Sequence, residues 1–364
     1  MSFRIKQVDT HWQWNKIKDQ CESRFEELHR SGNYIQGKDT EIFEVEFADF
    51  LGVQHFVAVA NGTDALELIL RAAGIGENSE VIIPDMTFFA TYEAVVNAGA
   101  IARIVDVEDN GLIDPEKVRE SITSRTKAII AVHLNGAPAN LASLNKIARE
   151  YNLEIIEDAC QAHCTQISSA SPGKLSLAAA FSFYPGKNLG AIGDAGGVAT
   201  DNEDLADKIR RIRDHGRTSK YEHHEIGRNS RMDSLQAIVL SEKLKFLDEW
   251  WRAREKNQSF YRFFLQETPI RIPEFEVASN SRHGNHLFPI FVSEREKLSE
   301  SLRKKGIQIT IQYPKTISRI IKANNNFVKS ERYAREVLSL PIGEHLTTSD
   351  IENVVDVLKK TLAQ

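Results

Sequence analysis

Short runs of apolar residues alternate along the chain with longer segments whose apolar residues recur at helical spacing. HFVAVA (55–60), SEVIIP (79–84), IARIVDV (101–107), KAIIAVHL (127–134), LEIIED (153–158), AAAFSF (178–183) and GGVAT (196–200) read as strands. They are largely apolar throughout rather than alternating, as strands buried on both faces are. Between them 63–74, 89–99 and 141–152 read as helices. In the first, Leu66, Ile69, Leu70 and Ala73 share one face. Strand–helix alternation predicts an α/β fold with a mostly parallel sheet. Beyond about residue 240 the texture changes. Residues 234–265 read as one long helix and 286–292 as a strand. A helix near 295–305, a β-rich run at 306–313 and a C-terminal helix opening at Thr348-Ser349-Asp350 follow. This pattern predicts a large domain over 1–240, including the N-terminal segment, and a small α+β domain over 241–364.

Composition narrows the class. A chain of 364 residues that is 41% hydrophobic and 27% charged suits a globular protein with a core that needs no disulfides. Three cysteines, Cys21, Cys160 and Cys164, make no disulfide framework and have no second pair at zinc spacing, so buried thiols are expected. The formal charge of −5 gives no reason to expect nucleic acid. The N-terminal residues lack the apolar core of a signal peptide, and no apolar run is long enough to span a membrane. The cytoplasm is therefore the expected location, with no membrane partner.

Three places carry candidate chemistry. Asn61-Gly62-Thr63 sits between a strand and a helix, where free N–H groups suit either a phosphate or a plain helix cap. Glu157-Asp158 ends a strand at the edge where parallel sheets bind ligands; it is either a ligand carboxylate or a cap for the next segment. Lys187 lies in the glycine-rich run FSFYPGKNLGAIGDAGG, five residues after Ser182. It is either a solvated charge or, if buried, a nucleophilic amine with a lowered pKa. Phe88 and Phe89 follow a strand end and either stack on a planar ligand or pack in the core. His215, His223 and His224 read as surface histidines. Lys208, Arg210, Arg211 and Arg213 read as a solvated basic helix face.

Six segments in order, GNYIQGKDTEIFEVEFADFLG (32–52), ANGTDALEL, IIPDMTFFAT, IIEDACQAH, FSFYPGKNLGAIGDAGG and GRNSRMDSLQA, together with LSLPIGEHLT (338–347), resemble the DegT-type nucleotide-sugar aminotransferases. These are fold-type I pyridoxal-phosphate enzymes. The resemblance implies an aspartate-aminotransferase-like large domain with a mostly parallel seven-stranded sheet. It gives Lys187 the role of Schiff-base lysine and places Asp158 on the pyridinium nitrogen and Gln161 near the 3′ oxygen. Gly62, Thr63 and Ser182 become phosphate ligands and Phe88 the ring that stacks on the pyridine. Asn229 becomes a phosphate ligand lent by a partner subunit, which implies a homodimer with shared active sites. Gly32, Tyr34, Arg231 and Tyr313 match positions that hold the nucleotide-sugar. The implied reaction moves an amino group from L-glutamate, through pyridoxamine phosphate, to a UDP- or dTDP-linked keto-sugar. C3 is favoured over C4, and the product is an amino sugar for surface polysaccharide. Asn135, Ala137, Cys164 and Gln312 depart from the family pattern, so the sugar is less defined than the chemistry. A sugar dehydratase of the same family would carry histidine in place of Lys187. A non-catalytic cofactor-binding regulator and an amino-acid transaminase are the remaining alternatives.

Overall fold

The computed structural model describes residues 3–275 and 280–363. Two helices, α1 (Thr10–Ser31) and α2 (Lys38–Leu51), precede β1 (His55–Val59) and α3 (Gly62–Ala72). The chain then alternates through β2 (Glu80–Pro84), α4 (Phe89–Asn97), β3 (Ile101–Val105), α5 (Pro115–Ser121), β4 (Thr126–Val132), α6 (Leu141–Tyr151) and β5 (Glu154–Asp158). β6 (Ala178–Ser182), β7 (Gly196–Thr200) and α7 (Glu203–Ile212) complete the layer. The seven strands form one sheet in the order β1-β7-β6-β5-β4-β2-β3. From β6 to β3 neighbouring strands pair in parallel, while β7 runs antiparallel to both β1 and β6. The carboxyl ends of β1, β2, β4, β5 and β6 consequently share one edge, and β7 starts there.

Local chemistry explains the elements. Asn61 caps α3 by accepting from the N–H of Asp64, and Leu66, Ile69 and Leu70 bury against the sheet. In α6, Leu141, Leu144, Ile147 and Ala148 form the buried stripe on the opposite sheet face, and Asn152 ends the helix in the left-handed region. Phe43 and Phe47 of α2 pack with Phe56, Phe181 and Phe183 around the β1–β7–β6 end. Gly197 is required there: a Cβ on it would lie 2.1 Å from the Phe56 ring.

After a short hairpin, β8 (Arg217–Ser219) and β9 (Glu222–His223), the helical stretch expected over 234–265 is two helices, α8 (Ser234–Leu244) and α9 (Leu247–Leu265). No glycine or proline marks the break. Ile238 and Val239 of α8 pack on Ile17 and Leu28 of α1, Ala237 and Leu240 of α8 share a core with Leu247 at the start of α9, and Tyr261 and Leu265 near the end of α9 join a separate C-terminal core. That second core also takes β10 (Phe288–Phe291), α10 (Arg295–Lys304), β11 (Val337–Leu340) and α13 (Thr348–Leu362), with α11 (Ile317–Ile320) and α12 (Val328–Glu336) lying between β10 and β11 in sequence. Ile5 from the N-terminus inserts into it. The run at 306–313 buries Ile307 and Ile309 but forms no ladder, pairing only at single positions, Ile5–Ile307 and Thr310–Ser339. Thr347, not Thr348, caps α13, in a reciprocal box with Asp350. No helix among the described residues is long and apolar enough to cross a membrane.

Gly197→Ala forces a methyl group into the Phe56 ring within a filled aromatic core. Urea unfolding should show a loss of about 1–3 kcal/mol, and an unchanged midpoint would show that the cluster is loosely packed.

Candidate active site

The sheet's carboxyl edge opens into a cavity of about 570 Å³. Gly62, Thr63, Phe88, Asp158, Gln161, Ser182, Lys187 and Tyr313 all line it. Its floor is the first turn of α3. Helix starts leave N–H groups without intrahelical partners; Asn61 satisfies that of Asp64 at 2.8 Å, and Gly62 and Thr63 border the open space. The turn lies tight against the sheet. A Cβ on Gly62 would sit 2.7 Å from Cys160 Sγ and 2.8 Å from Ser182 Cβ.

Strand alternation divides the acidic pair. Glu157 is wholly buried on the far side, bonded to His133 at 2.7 Å, Ser176 at 2.6 Å and the N–H of Gly173 at 2.7 Å. It is structural. Asp158 faces the cavity, where its Oδ2 accepts from Thr91 Oγ1 at 2.8 Å and its Oδ1 from the N–H of Cys160 at 3.2 Å. Thr91 in turn bonds Thr87 at 2.7 Å.

Lys187 follows β6 on a turn closed by its own N–H to the Tyr184 carbonyl, 2.8 Å. Part of its side chain faces the cavity, but dense protein around the ammonium pushes its pKa down; nearby Cys160 and Asp158 partly offset this. Next to it, Asn188 is buried and donates to the Gly284 carbonyl at 2.8 Å. His163 donates from Nε2 to the Ser182 carbonyl at 2.9 Å, and burial pushes its pKa down to about 3.

Gln161 is oriented from both ends. Its Oε1 accepts the N–H of Asn135 at 2.6 Å, and its Nε2 donates to Tyr313 OH at 3.0 Å. Asn135 adopts φ of +61°, which asparagine tolerates, and donates to Tyr333 OH at 2.8 Å. Burial raises the pKa of Tyr313, so it remains a hydroxyl. The ring of Phe88 is 58% exposed and lies 5.7 Å from that of Tyr313.

Four expected site residues lie outside the cavity of the single chain. Gly32 ends α1, Tyr34 and Asn229 are exposed, and Arg231 bonds Asp214 at 3.0 Å. Residues 32–35 and 231–234 are neighbours, joined by Ser234 N–H to the Tyr34 carbonyl and by an Ile35–Asp233 bridge. Of the basic face read as solvated, Arg213 is buried: its guanidinium bonds Glu44 at 2.6 Å and the Ala58 carbonyl at 2.5 Å. Helical phase alone could not place a residue that follows α7 and turns back under β1. His215, His223 and His224 are exposed. No group of His, Cys, Asp or Glu among the described residues is arranged to hold a metal. Sequence reasoning missed Thr91, although it stands inside the FFAT segment, and missed Arg228, a cavity residue paired with Asp64 and Glu67.

Comparison with known proteins follows the same lines. The profile of the DegT/DnrJ/EryC1/StrS aminotransferase family matches residues 15–359. The chain is 42% identical over 339 residues to the erythromycin biosynthesis sensory transduction protein EryC1 of Saccharopolyspora erythraea, covering 90% of this chain and 92% of that one. It is 36% identical to the dTDP-3-amino-3,4,6-trideoxy-alpha-D-glucose transaminase of Streptomyces venezuelae, covering 98% and 96%. The crystal structure of S. venezuelae DesV in complex with a ketimine intermediate superposes with a TM-score of 0.96 at 35% identity, covering 100% of both chains.

The buried His163 generates a pH dependence. Its unfolded form titrates near 6.5 and its folded form near 3. Only the unfolded state takes the proton between these values, so stability falls as pH drops below about 6.5. Urea unfolding at pH 5 should show about 2 kcal/mol less stability from this group than at pH 7.5, and His163→Gln should shrink the difference by that amount. An undiminished difference would place His163 in water.

Proposed function

The chain belongs to the DegT/DnrJ/EryC1/StrS aminotransferase family, and from that premise we propose that it transfers an amino group from L-glutamate to a keto group of a UDP- or dTDP-linked sugar. C3 is the favoured position and pyridoxal 5′-phosphate the cofactor. The fold is the mostly parallel, fold-type I α/β architecture. The observation that carries the reading is that Lys187 and Asp158 border one cavity floored by the start of α3.

The cavity's donor set suits this cofactor. The α3 N-terminus and Ser182 suit a phosphate, and Gly62 keeps open a cradle that a Cβ would fill. Asp158 takes hydrogen bonds from Thr91 and the Cys160 N–H and has capacity for a further donor such as a protonated ring nitrogen. Phe88 presents an exposed face for a planar ring beside Tyr313. When bound, the cofactor supplies an electron sink. The chain's residues do the rest. Lys187, whose amine loses its proton more easily than an exposed lysine, takes and returns the substrate α-proton at Nζ. Thr91 holds Asp158 in place. Gln161, its carbonyl fixed by Asn135, directs its amide toward Tyr313 and the ligand.

The homodimer rests on the placement of Gly32, Tyr34, Asn229 and Arg231. They gather outside the chain's own cavity, where a second copy would use them to complete a shared site. Residues 1–240 serve as the large domain and 241–364 as the small one in this reading. The 3-amino product in the name of the S. venezuelae relative supports amination at C3. Formation of an amino sugar for surface polysaccharide is the biological role that follows.

Wild-type protein loaded with pyridoxal phosphate should show a yellow band that bleaches with L-glutamate, and Lys187→Ala should lack it. With a panel of UDP- and dTDP-ketosugars, product analysis by mass and NMR should find amination at C3. Lys187→Ala should lower turnover by about 10²–10⁴-fold or more. A colourless wild type indifferent to added cofactor would sink the proposal, whereas a yellow protein that neither bleaches with L-glutamate nor turns over any ketosugar would favour a non-catalytic cofactor-binding regulator. Removing one donor to Asp158 in Thr91→Val should lower kcat severalfold more than it alters KM for the sugar.

A further inference from the structure

The residues that follow Lys187 are held by a buried polar chain that the proposed chemistry does not use. At one end Lys243 of α8 donates to the Gly190 carbonyl at 2.6 Å and to Gln13 Oε1 of α1 at 2.9 Å. Gln13 Nε2 donates to Glu344 Oε1 at 2.6 Å, and Glu344 Oε2 accepts from Arg254 of α9 at 2.8 Å. Arg254 continues to the carbonyls of Asn285 and His286, each at 3.2 Å. His286 Nδ1 meets Asn188 Oδ1 at 2.9 Å, which returns the chain to the residue beside Lys187. The Asn188 amide nitrogen already donates to Gly284, so its oxygen accepts, and Nδ1 of His286 must carry the proton. All six side chains are buried.

We propose that Lys243, Gln13, Glu344, Arg254, His286 and Asn188 form a positioning ring that grips the Lys187 loop at residues 188 and 190 and ties its geometry to the C-terminal core. This rests on the assignment of Lys187 as the reactive amine. Burying a lysine, an arginine and a carboxylate is expensive, and apolar replacements of buried ion pairs often stabilise a fold equally well. A set of charges kept at that expense is better explained by the position it specifies. The strain of burial is visible in Lys243, whose pKa is pushed down to about 8, while Arg254 and Gln13 hold Glu344 below the usual carboxylate range despite its burial. The bonded groups come from α1, α8, α9 and the segments flanking β10 and β11. A shift of the C-terminal core against the sheet would therefore be felt at Asn188 and Gly190 before any other part of the loop.

The experiment compares wild type, Lys243→Met, Gln13→Met and Lys243→Arg. In the cofactor-free protein, hydrogen exchange of a peptide covering 184–192 should become about tenfold faster in both methionine variants, with exchange in the β-sheet unchanged. In the loaded enzyme kcat should fall about 10²-fold with KM for the sugar within about twofold, as expected for a misplaced rather than missing amine. Lys243→Arg, which keeps a donor and the charge, should recover part of both. If Lys243→Met does not fold, Gln13→Met, which keeps every charge, carries the test. Unchanged exchange at 184–192, or exchange quickened uniformly along the chain, overturns the ring as a positioning device. Failure of wild type to turn over any ketosugar would overturn the functional reading instead, and the exchange comparison would still decide the ring.

Discussion

The whole arrangement depends on how closely the first turn of α3 approaches the edge of the sheet. Val59, Gly196 and Ser182 stand side by side in register across β1, β7 and β6. A Cβ on Gly196 would lie 2.3 Å from the carbonyl carbon of Asn61, and one on Gly62 would collide with Ser182 and Cys160. Only hydrogen atoms at these two positions let the helix N-terminus reach the strand ends. Asn61 can then cap the helix while Gly62 and Thr63 border the cavity. Antiparallel β7 is what makes the contact possible, because it begins at the edge where its parallel neighbours finish.

Around that contact, neighbouring polar residues are sent to opposite duties. Glu157 and Asp158 are adjacent, yet the pleat turns one into a buried cluster with His133, Ser176 and the Gly173 N–H and the other into the cavity. The Glu157 carboxylate takes three hydrogen bonds from its own chain on the sheet's far side. Asp158 keeps capacity to spare. Asp158 takes two hydrogen bonds, from Thr91 and the Cys160 N–H, and faces open space.

The C-terminal elements act on the same edge from a distance. Asp85, just past β2, accepts from the backbone and side chain of Ser318 and from Ser330, which ties the segment after Tyr313 to the sheet. Burial raises its pKa, and these donors oppose that rise. The ring from Lys243 to Asn188 does the same for the Lys187 loop. Each of the two cavity walls thus has a buried polar anchor running into the C-terminal part of the chain, while the floor is the first turn of α3 set against the strand ends.

Much of this was legible before any coordinates. Uninterrupted apolar runs between helical stretches determined the parallel sheet, because hydrophobic periodicity is set locally. Lys187, Asp158 and the Gly62-Thr63 turn each allow a plain structural reading when taken alone, and it is their combination and the family resemblance that single them out. What the sequence could not decide were matters of long-range partnership. The break between α8 and α9 has no glycine or proline to mark it. Arg213 looked solvated and is buried under β1 by Glu44, 169 positions away. Asp158 depends on Thr91, 67 positions away, and Gln13 meets Glu344 across 331. Residue type and spacing record what a segment tends to become. Which buried donor finds which acceptor is decided only when the chain has closed, because any of several partners would satisfy the same group.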